Sequence, residues 1–278
     1  MRRMILSCVV AMMPPVLVAQ GELPQIETQG ALRPLDTMEA ARGYEAVGRL
    51  DNEIGYCSAT LIADDLILTA AHCLFDARGR RLPDGGFTFR AGLRNGRAAA
   101  ERGVAASHVP DSYRYVGQEP EVDGVQNDIA LLELDSPIAL AMVQPIRPGP
   151  VARARDRVTV VSYGRARDDH ASIEEDCRVM LRRGAVSALS CSAVQGSSGA
   201  PVLRRTETGL EVAAVVSATG VIENRAASFA ADVQDVLGDL MAARSSASNG
   251  GAEGGAAVRR LTVGDGGRGE IGARFLSP

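Results

Sequence analysis

The chain has 278 residues, of which 46% are hydrophobic and 23% are charged. This composition is enough for a sizeable core in one two-lobed domain or in two small domains. The formal net charge of −4 gives no basic surface for nucleic acid, so no nucleic-acid partner is expected. Only 4% of the residues are aromatic and none is tryptophan, so the core must be built from Val, Leu, Ile and Ala.

The first residues have the pattern of an export signal. Arg2 and Arg3 give a positive start, residues 4–18 form an apolar run, and Ala19 offers a small residue for cleavage. The apolar run is too short for a comfortable membrane span. We therefore predict a signal peptide over residues 1–19, a secreted or periplasmic bacterial protein, and no membrane span in the mature chain.

Four cysteines remain after the signal peptide, and they agree with export. Four cysteines allow three pairings. We favour the local pairing, in which each bridge closes a loop of about 15 residues and contributes about 3 kcal/mol, over four free thiols. The predicted disulfides are Cys57–Cys73 and Cys177–Cys191. The sequence has no Cys-x-x-Cys or His-Glu-x-x-His string, so no metal site and no cofactor are predicted.

From residue 45 the sequence consists of short apolar runs separated by turn residues, which is typical of an all-β protein. Residues 20–44 hold two prolines without a clear period and are predicted as an irregular N-terminal arm. The first set of predicted strands is 46–50, 58–63, 66–69, 87–91, 104–109 and 129–134. The second set is 158–162, 178–181, 186–189, 201–203 and 210–216.

Other segments organise the two strand sets. Residues 136–150 contain four prolines and are predicted to link two packed β-lobes. Residues 110–124 are polar, with Tyr113 and Tyr115, and are predicted as an exposed loop. One helix face is predicted from the spacing of Val233, Val236, Leu237, Leu240 and Met241. Residues 244–278 are rich in Gly, Ala and Ser without an apolar period, and are predicted as a disordered tail.

Glycines bracket a serine in the string GSSGAP at residues 196–201. Glycine lets the backbone enter conformations that other residues resist, so such a turn can hold the Ser198 hydroxyl outward and aim backbone N–H groups at one point. A nucleophilic serine needs this arrangement, because preplaced donors must meet the oxyanion of acyl transfer. Two further strings accompany it, LTAAHC at residues 68–73 and NDIALL at residues 127–132.

The order of the histidines restricts the type of site. His72, His108 and His170 all precede Ser198, which excludes the Ser, acid, His order of α/β-hydrolases. The order His72, Asp128, Ser198 is one of the known orders of a Ser-His-Asp site. Each could instead be structural, as a core histidine, a loop cap and a turn hydroxyl, but their combination favours catalysis. The two other histidines lie in polar surroundings and are predicted as surface residues.

The three strings resemble the histidine, aspartate and nucleophile motifs of chymotrypsin/trypsin-like serine proteases, in that family's order. The resemblance covers about residues 45–241 and is closer to bacterial glutamyl-endopeptidase-like members. It implies an all-β fold of two packed antiparallel six-stranded β-barrels with a C-terminal helix. The protease domain is therefore predicted over residues 45–243.

The resemblance also implies a mechanism, that of an exported serine endopeptidase acting on a polypeptide substrate. Ser198 would attack the scissile carbonyl, His72 would transfer the proton, and Asp128 would orient the imidazole. Backbone N–H groups of Gly196 and Ser198 would meet the oxyanion. In digestive members of the family, an aspartate occupies the position of Ser197. That aspartate pairs with the N-terminal amine that activation cleavage frees. The sequence has a serine there, so activity is predicted to need no such ion pair.

The resemblance places a specificity pocket on both sides of the nucleophile. Its predicted lining is Ser192, Ala193, Ser217, Ala218 and Thr219. Ser192 brings no negative charge, which disfavours a preference for Lys or Arg. Members that prefer glutamate place a histidine near the position of Val216, so a small or medium apolar side chain is expected instead.

Two other classes of protein share some of these features. One is a catalytically inactive binding module with a protease fold, and the other is a non-proteolytic exported β-protein with coincidental strings. Lost activity usually shows as a missing member of the triad, and none is missing here. The endopeptidase is therefore favoured, and reaction with a serine-directed fluorophosphonate separates it from an inactive homologue.

Overall fold

A computed structural model describes residues 32–115, 122–249 and 273–276. The predicted signal peptide and most of the predicted arm lie outside these residues. The described chain begins with strand β1 (Arg33–Pro34) and the short helix α1 (Met38–Ala41). Within the described ranges, we find no helix with the length and apolar character needed to cross a bilayer.

The first lobe is a closed antiparallel barrel. Its strands are β2 (Val47–Asn52), β3 (Gly55–Ala63), β4 (Leu66–Thr69), β5 (Thr88–Ala91), β6 (Ala100–His108) and β7 (Ala130–Leu134). They pair in the order β2-β3-β4-β7-β6-β5, and β5 pairs with β2 to close the barrel. Its interior is filled by fully buried apolar side chains such as Leu50, Ile67, Phe89 and Leu132, which the register places on one face. All six strands match predicted segments, with ends that differ by a few residues.

The second lobe is built in the same way. Its strands are β8 (Arg157–Gly164), β9 (Arg167–Arg183), β10 (Val186–Leu189), β11 (Pro201–Thr206), β12 (Gly209–Ile222) and β13 (Arg225–Asp232). They pair in the order β9-β10-β13-β12-β11-β8, and an additional β8–β9 pairing joins the two ends of this path. Outside this ring, β1 pairs with β9, and β14 (Ala273–Leu276) pairs with β12.

Within the ring, β13 and β9 depart most from the prediction, and β12 runs six residues beyond the predicted 210–216. Strand β13 was not predicted, because four of its eight residues are alanine, which has little preference for strands. Its pairing with both β10 and β12 overrides that local preference. Strand β9 begins eleven residues before the predicted segment 178–181, since its first half is polar and carries no apolar alternation.

The predicted helix is present as α3 (Gln234–Asn249), and a short helix α2 (Val122–Gln126) precedes β7. Val236 and Leu240 of α3 are buried, as the predicted helix face requires, but Met241, predicted on the same face, is exposed. The prediction of disorder over residues 244–278 is wrong for residues 244–249, which continue the helix, and for Ala273–Leu276, which form β14. The Arg244 guanidinium explains the longer helix, because it binds the carboxylates of Asp65 at 2.6 Å and Glu133 at 3.1 Å on the first barrel.

The loop after β6 also differs from its prediction. Tyr113 is only 8% exposed, and its ring lies 5.6 Å from that of Phe75. Residues 116–121 lie outside the described residues. His108, predicted as a surface residue, is largely buried and its Nε2 lies 2.7 Å from Glu133 Oε1. A polar composition therefore concealed side chains that pack against the first barrel.

Both predicted disulfides, Cys57–Cys73 and Cys177–Cys191, are present. The first joins β3 to the segment that follows β4, and the second joins β9 to the segment that follows β10. Each bridge therefore joins two segments of the same lobe.

Candidate active site

A cavity of about 300 Å³ is lined by residues of both lobes, including His72, Asp128 and Ser198. His72 lies in a single 3₁₀ turn (Ala71–Leu74) directly after β4, and Asp128 lies two residues before β7. Strands β4 and β7 pair antiparallel with Thr69 opposite Ala130, so the end of one strand meets the start of the other. The sheet register therefore brings the histidine and the aspartate together from 56 residues apart.

The Asp128 carboxylate is buried and has a partner at each oxygen. Its Oδ2 lies 2.6 Å from His72 Nδ1, and its Oδ1 accepts the backbone N–H of His72 at 2.8 Å. The Ser217 hydroxyl also donates to Oδ2, at 2.5 Å. These contacts fix the ring orientation and place the proton on Nδ1, because a carboxylate can only accept. The opposite nitrogen, Nε2, is then left as a proton acceptor.

The environment of His72 changes its basicity. Burial of the imidazole favours its neutral form and would lower its pKa. The charge of Asp128 and its hydrogen bond outweigh this, so the pKa of His72 lies above its ordinary value of 6.5. Asp128 therefore makes the imidazole a stronger base than an isolated histidine.

The turn that carries Ser198 requires its two flanking glycines. Gly196 has φ of 95° and Gly199 has φ of 79°, in the left-handed region that side chains disfavour. A Cβ at Gly196 would lie 2.5 Å from the Tyr56 ring. A Cβ at Gly199 would lie 2.2 Å from the carbonyl oxygen of Ser58. Both the backbone conformation and the close approach of the first barrel therefore select glycine.

Two backbone N–H groups of this turn have no acceptor in the part of the chain that the structure describes. The N–H groups of Ser197, Gly199 and Ala200 each donate to a backbone carbonyl of the protein. Within the described ranges, the N–H groups of Gly196 and Ser198 donate to no protein acceptor. Both residues line the cavity. The arrangement can therefore hold an oxyanion with two preplaced donors.

Ser58 supports this turn from the first barrel and was not identified from the sequence. Its buried hydroxyl donates to the carbonyl of Gly196 at 2.9 Å, and its backbone N–H donates to the carbonyl of Ser198 at 2.8 Å. The N–H of Tyr163 in turn donates to the Ser58 hydroxyl at 2.9 Å. The one local signal was a hydroxyl within an apolar strand run, directly after Cys57.

Uncharged hydroxyl groups form hydrogen bonds on the inner side of the turn that carries Ser198. The buried Ser197 hydroxyl lies 3.2 Å from the hydroxyl of Ser162, to which it donates. Arg167 donates to the carbonyl of Ser162 at 3.0 Å from the other side. The position expected to carry an aspartate in digestive members thus holds a serine, and among the described residues its hydroxyl contacts only neutral groups.

Comparison with known proteins identifies the family. The family described as trypsin-like peptidase domain matches residues 57–213, which is 157 of the 278 residues. The chain belongs to the trypsin-like peptidase family. This match includes all three strings from which the resemblance was inferred, and it supports a serine protease kind of function.

A solved structure gives an independent comparison. The structure of a Glu endopeptidase in complex with MPD aligns with a TM-score of 0.61 and 17% identity, over 73% of this chain and 91% of that one. The peptidase therefore has the predicted chymotrypsin-like fold, with a closed six-stranded barrel, a second β-lobe and a C-terminal helix. A search of curated protein sequences finds no significant match.

Four of the five residues predicted for the peptidase's specificity pocket line the cavity. They are Ala193, Ser217, Ala218 and Thr219. Ser192 is not among the described residues that line it, and its N–H donates to Glu174 Oε2 at 2.8 Å. Burial raises the pKa of Glu174 above its ordinary value. Ser217 has a second contact that sequence reasoning missed, its hydrogen bond to Asp128.

Aromatic rings also line the peptidase's cavity. The rings of Phe75 and Tyr115 stack at 5.7 Å between centroids. Tyr113 lies against Phe75, and burial, with the nearby charge of Asp128, raises the pKa of its hydroxyl. This cluster gives part of the cavity wall an aromatic surface.

Proposed function

We propose that this member of the trypsin-like peptidase family is an exported serine endopeptidase that cleaves polypeptides through an acyl-enzyme. The observation that carries the proposal is the 2.6 Å contact of His72 Nδ1 with Asp128 Oδ2 in a cavity that Ser198 also lines. The signal-peptide pattern predicted for residues 1–19 and the two disulfides support export.

The reaction begins when His72 Nε2 accepts the proton of the Ser198 hydroxyl as its oxygen attacks the scissile carbonyl. The imidazolium that forms is stabilised by the Asp128 carboxylate. The oxyanion of the tetrahedral intermediate accepts hydrogen bonds from the N–H groups of Gly196 and Ser198. His72 then gives the proton to the leaving amine, and an acyl-enzyme on Ser198 remains. Water, deprotonated by the same nitrogen, hydrolyses the ester and restores the serine.

The side chain recognised at the cleaved bond is proposed to be small or medium and apolar. Val216 and Ala218 line the cavity with aliphatic atoms. The predicted pocket base at Ser192 brings no charge of its own. Neither the basic side chains preferred by trypsin nor a glutamate side chain has a matching partner at these positions.

A serine-directed fluorophosphonate tests the proposal. We expect the wild-type chain to displace one leaving group from the reagent and to gain one covalent adduct at Ser198, mapped by mass spectrometry. The Ser198→Ala variant should show no adduct, with an unchanged circular dichroism spectrum and no peptide hydrolysis. An adduct at Ser197, equal labelling of both proteins, or an unlabelled wild type would contradict it, and the last result would favour the inactive binding module.

The pH dependence of hydrolysis gives a second prediction. His72 must be neutral to accept the serine proton, and its pKa lies above 6.5, so it remains protonated to higher pH than an isolated histidine. We expect kcat/KM to rise with pH through one ionisation whose apparent pKa is above 6.5. Initial rates with a peptide ester from about pH 5 to about pH 9 measure it. A midpoint at or below that value would contradict the role assigned to Asp128.

A further inference from the structure

Strand β12 has two edges, and one of them leads out of the candidate active site. Strand β13 pairs along the other edge, from Ala214 to Ile222. Along the edge that leads out of the site, β11 pairs only as far as Val215. The chain segment β14 continues that edge, with Leu276 opposite Thr219 and Ala273 opposite Ile222. A distant part of the chain thus occupies a strand edge that β11 leaves open.

This edge begins beside the nucleophile. Strand β11 starts three residues after Ser198, and the N–H of Gly199 donates to the carbonyl of Val216 at 2.8 Å. The next residue, Ser217, donates to Asp128, and Thr219 lines the same cavity. An extended chain that pairs with residues 219–222 therefore lies in line with the reacting groups.

The direction of β14 matches that of a substrate. Because β14 is antiparallel to β12, the chain runs from Ile222 toward Thr219, and so toward Ser217 and Ser198. A polypeptide paired on this edge in the same direction presents its next residues, on the carboxyl side, to the nucleophile. Main-chain hydrogen bonds of such strand addition do not depend on sequence, so different segments can compete for them.

We propose that Ala273–Leu276 is an intrinsic competitor of the substrate, which occupies the peptide-binding edge of β12 until a polypeptide displaces it. The proposal rests on the proposed endopeptidase function of this site. Twenty-three residues, 250–272, separate α3 from β14, and at about 3.3–3.6 Å each they can span at most about 80 Å. Tethering in one chain raises the local concentration of the segment, to about millimolar for short connections.

Paired proline substitutions in the full-length chain test this occupancy. In an antiparallel strand, every second residue donates its N–H to the neighbouring strand. Prolines at two successive positions therefore remove one such donor, whichever of the two residues donates. The test variant is Arg274→Pro with Phe275→Pro. The matched control is Ala256→Pro with Ala257→Pro, which adds the same two residues and leaves β14 intact.

We expect the KM of the test variant for an extended peptide to be about five- to tenfold lower than that of the wild type. This decrease corresponds to an edge that β14 occupies in about 80–90% of wild-type molecules. The kcat of the test variant should stay at the wild-type value. A single-residue ester, which does not reach residues 219–222, should be hydrolysed equally by all three proteins. An unchanged KM for the extended peptide, or the same decrease in the control variant, overturns the proposal.

A binding measurement keeps this test separate from catalysis. A fluorescein-labelled synthetic peptide spanning residues 270–278 should bind the test variant at least about fivefold more tightly than the control, by anisotropy. Equal affinities overturn the proposal that β14 occupies the edge of β12 in its own chain, even if both proteins are active. Absence of fluorophosphonate labelling at Ser198 would instead overturn the endopeptidase function, whatever the peptide binding shows.

Discussion

Replacement of Asp128 by asparagine is expected to lower kcat for peptide hydrolysis by about 10⁴-fold, as in the known Ser-His-Asp sites, without unfolding the chain. The amide oxygen can keep the backbone N–H of His72, which now donates to Oδ1 at 2.8 Å. The amide nitrogen then faces His72 Nδ1 and can only donate. The imidazole must therefore carry its proton on Nε2, and that nitrogen can no longer accept the proton of Ser198.

The Ser217→Ala variant is the matched control for this change. It removes the hydroxyl that donates to Asp128 at 2.5 Å but keeps the negative charge and the preferred tautomer. Its loss of kcat should be far smaller than that of Asp128→Asn. Steady-state kinetics with one peptide amide and thermal unfolding by circular dichroism measure both variants. An asparagine variant within about tenfold of wild-type kcat would exclude the assigned role of Asp128.

Local sequence signals predicted the strands whose boundaries are set by their own residues. Segments 66–69 and 186–189 are apolar runs between turn residues, and both coincide with the observed strands. Strand β13, the end of α3 and strand β14 were missed for a common reason. Each is stabilised by partners far away in the chain, such as the carboxylates of Asp65 and Glu133 for α3.

The distinction between local signals and distant partners also applies to the candidate site. His72, Asp128 and Ser198 each lie in a recognisable string of six residues, so the sequence alone singled them out. The support that Ser58 gives to the nucleophile turn joins residues 138 positions apart in the chain. It depends on how the two lobes pack, which no string of local residues describes.

Gly199→Ala is expected to be the most destabilising single change at this contact between lobes. A left-handed φ of 79° costs an alanine about 1–3 kcal/mol. Its Cβ would also lie 2.2 Å from both the Ser58 carbonyl oxygen and the Thr69 hydroxyl. Such overpacking costs about 1–3 kcal/mol more, since backbone must move to relieve it. The free energy of unfolding should therefore fall by about 2–6 kcal/mol.

Gly43→Ala separates backbone strain from the close approach. Gly43 has a similar φ of 85°, but a Cβ there would meet no atom within 4 Å. This variant should show the cost of strain alone and retain full peptide hydrolysis, measured by urea unfolding and by kcat. The Gly199 variant should lose activity as well, because displacement of the turn from Ser58 moves the N–H of Ser198 away from the oxyanion. Equal losses of unfolding free energy in both variants would show that the first barrel does not position the nucleophile through this contact.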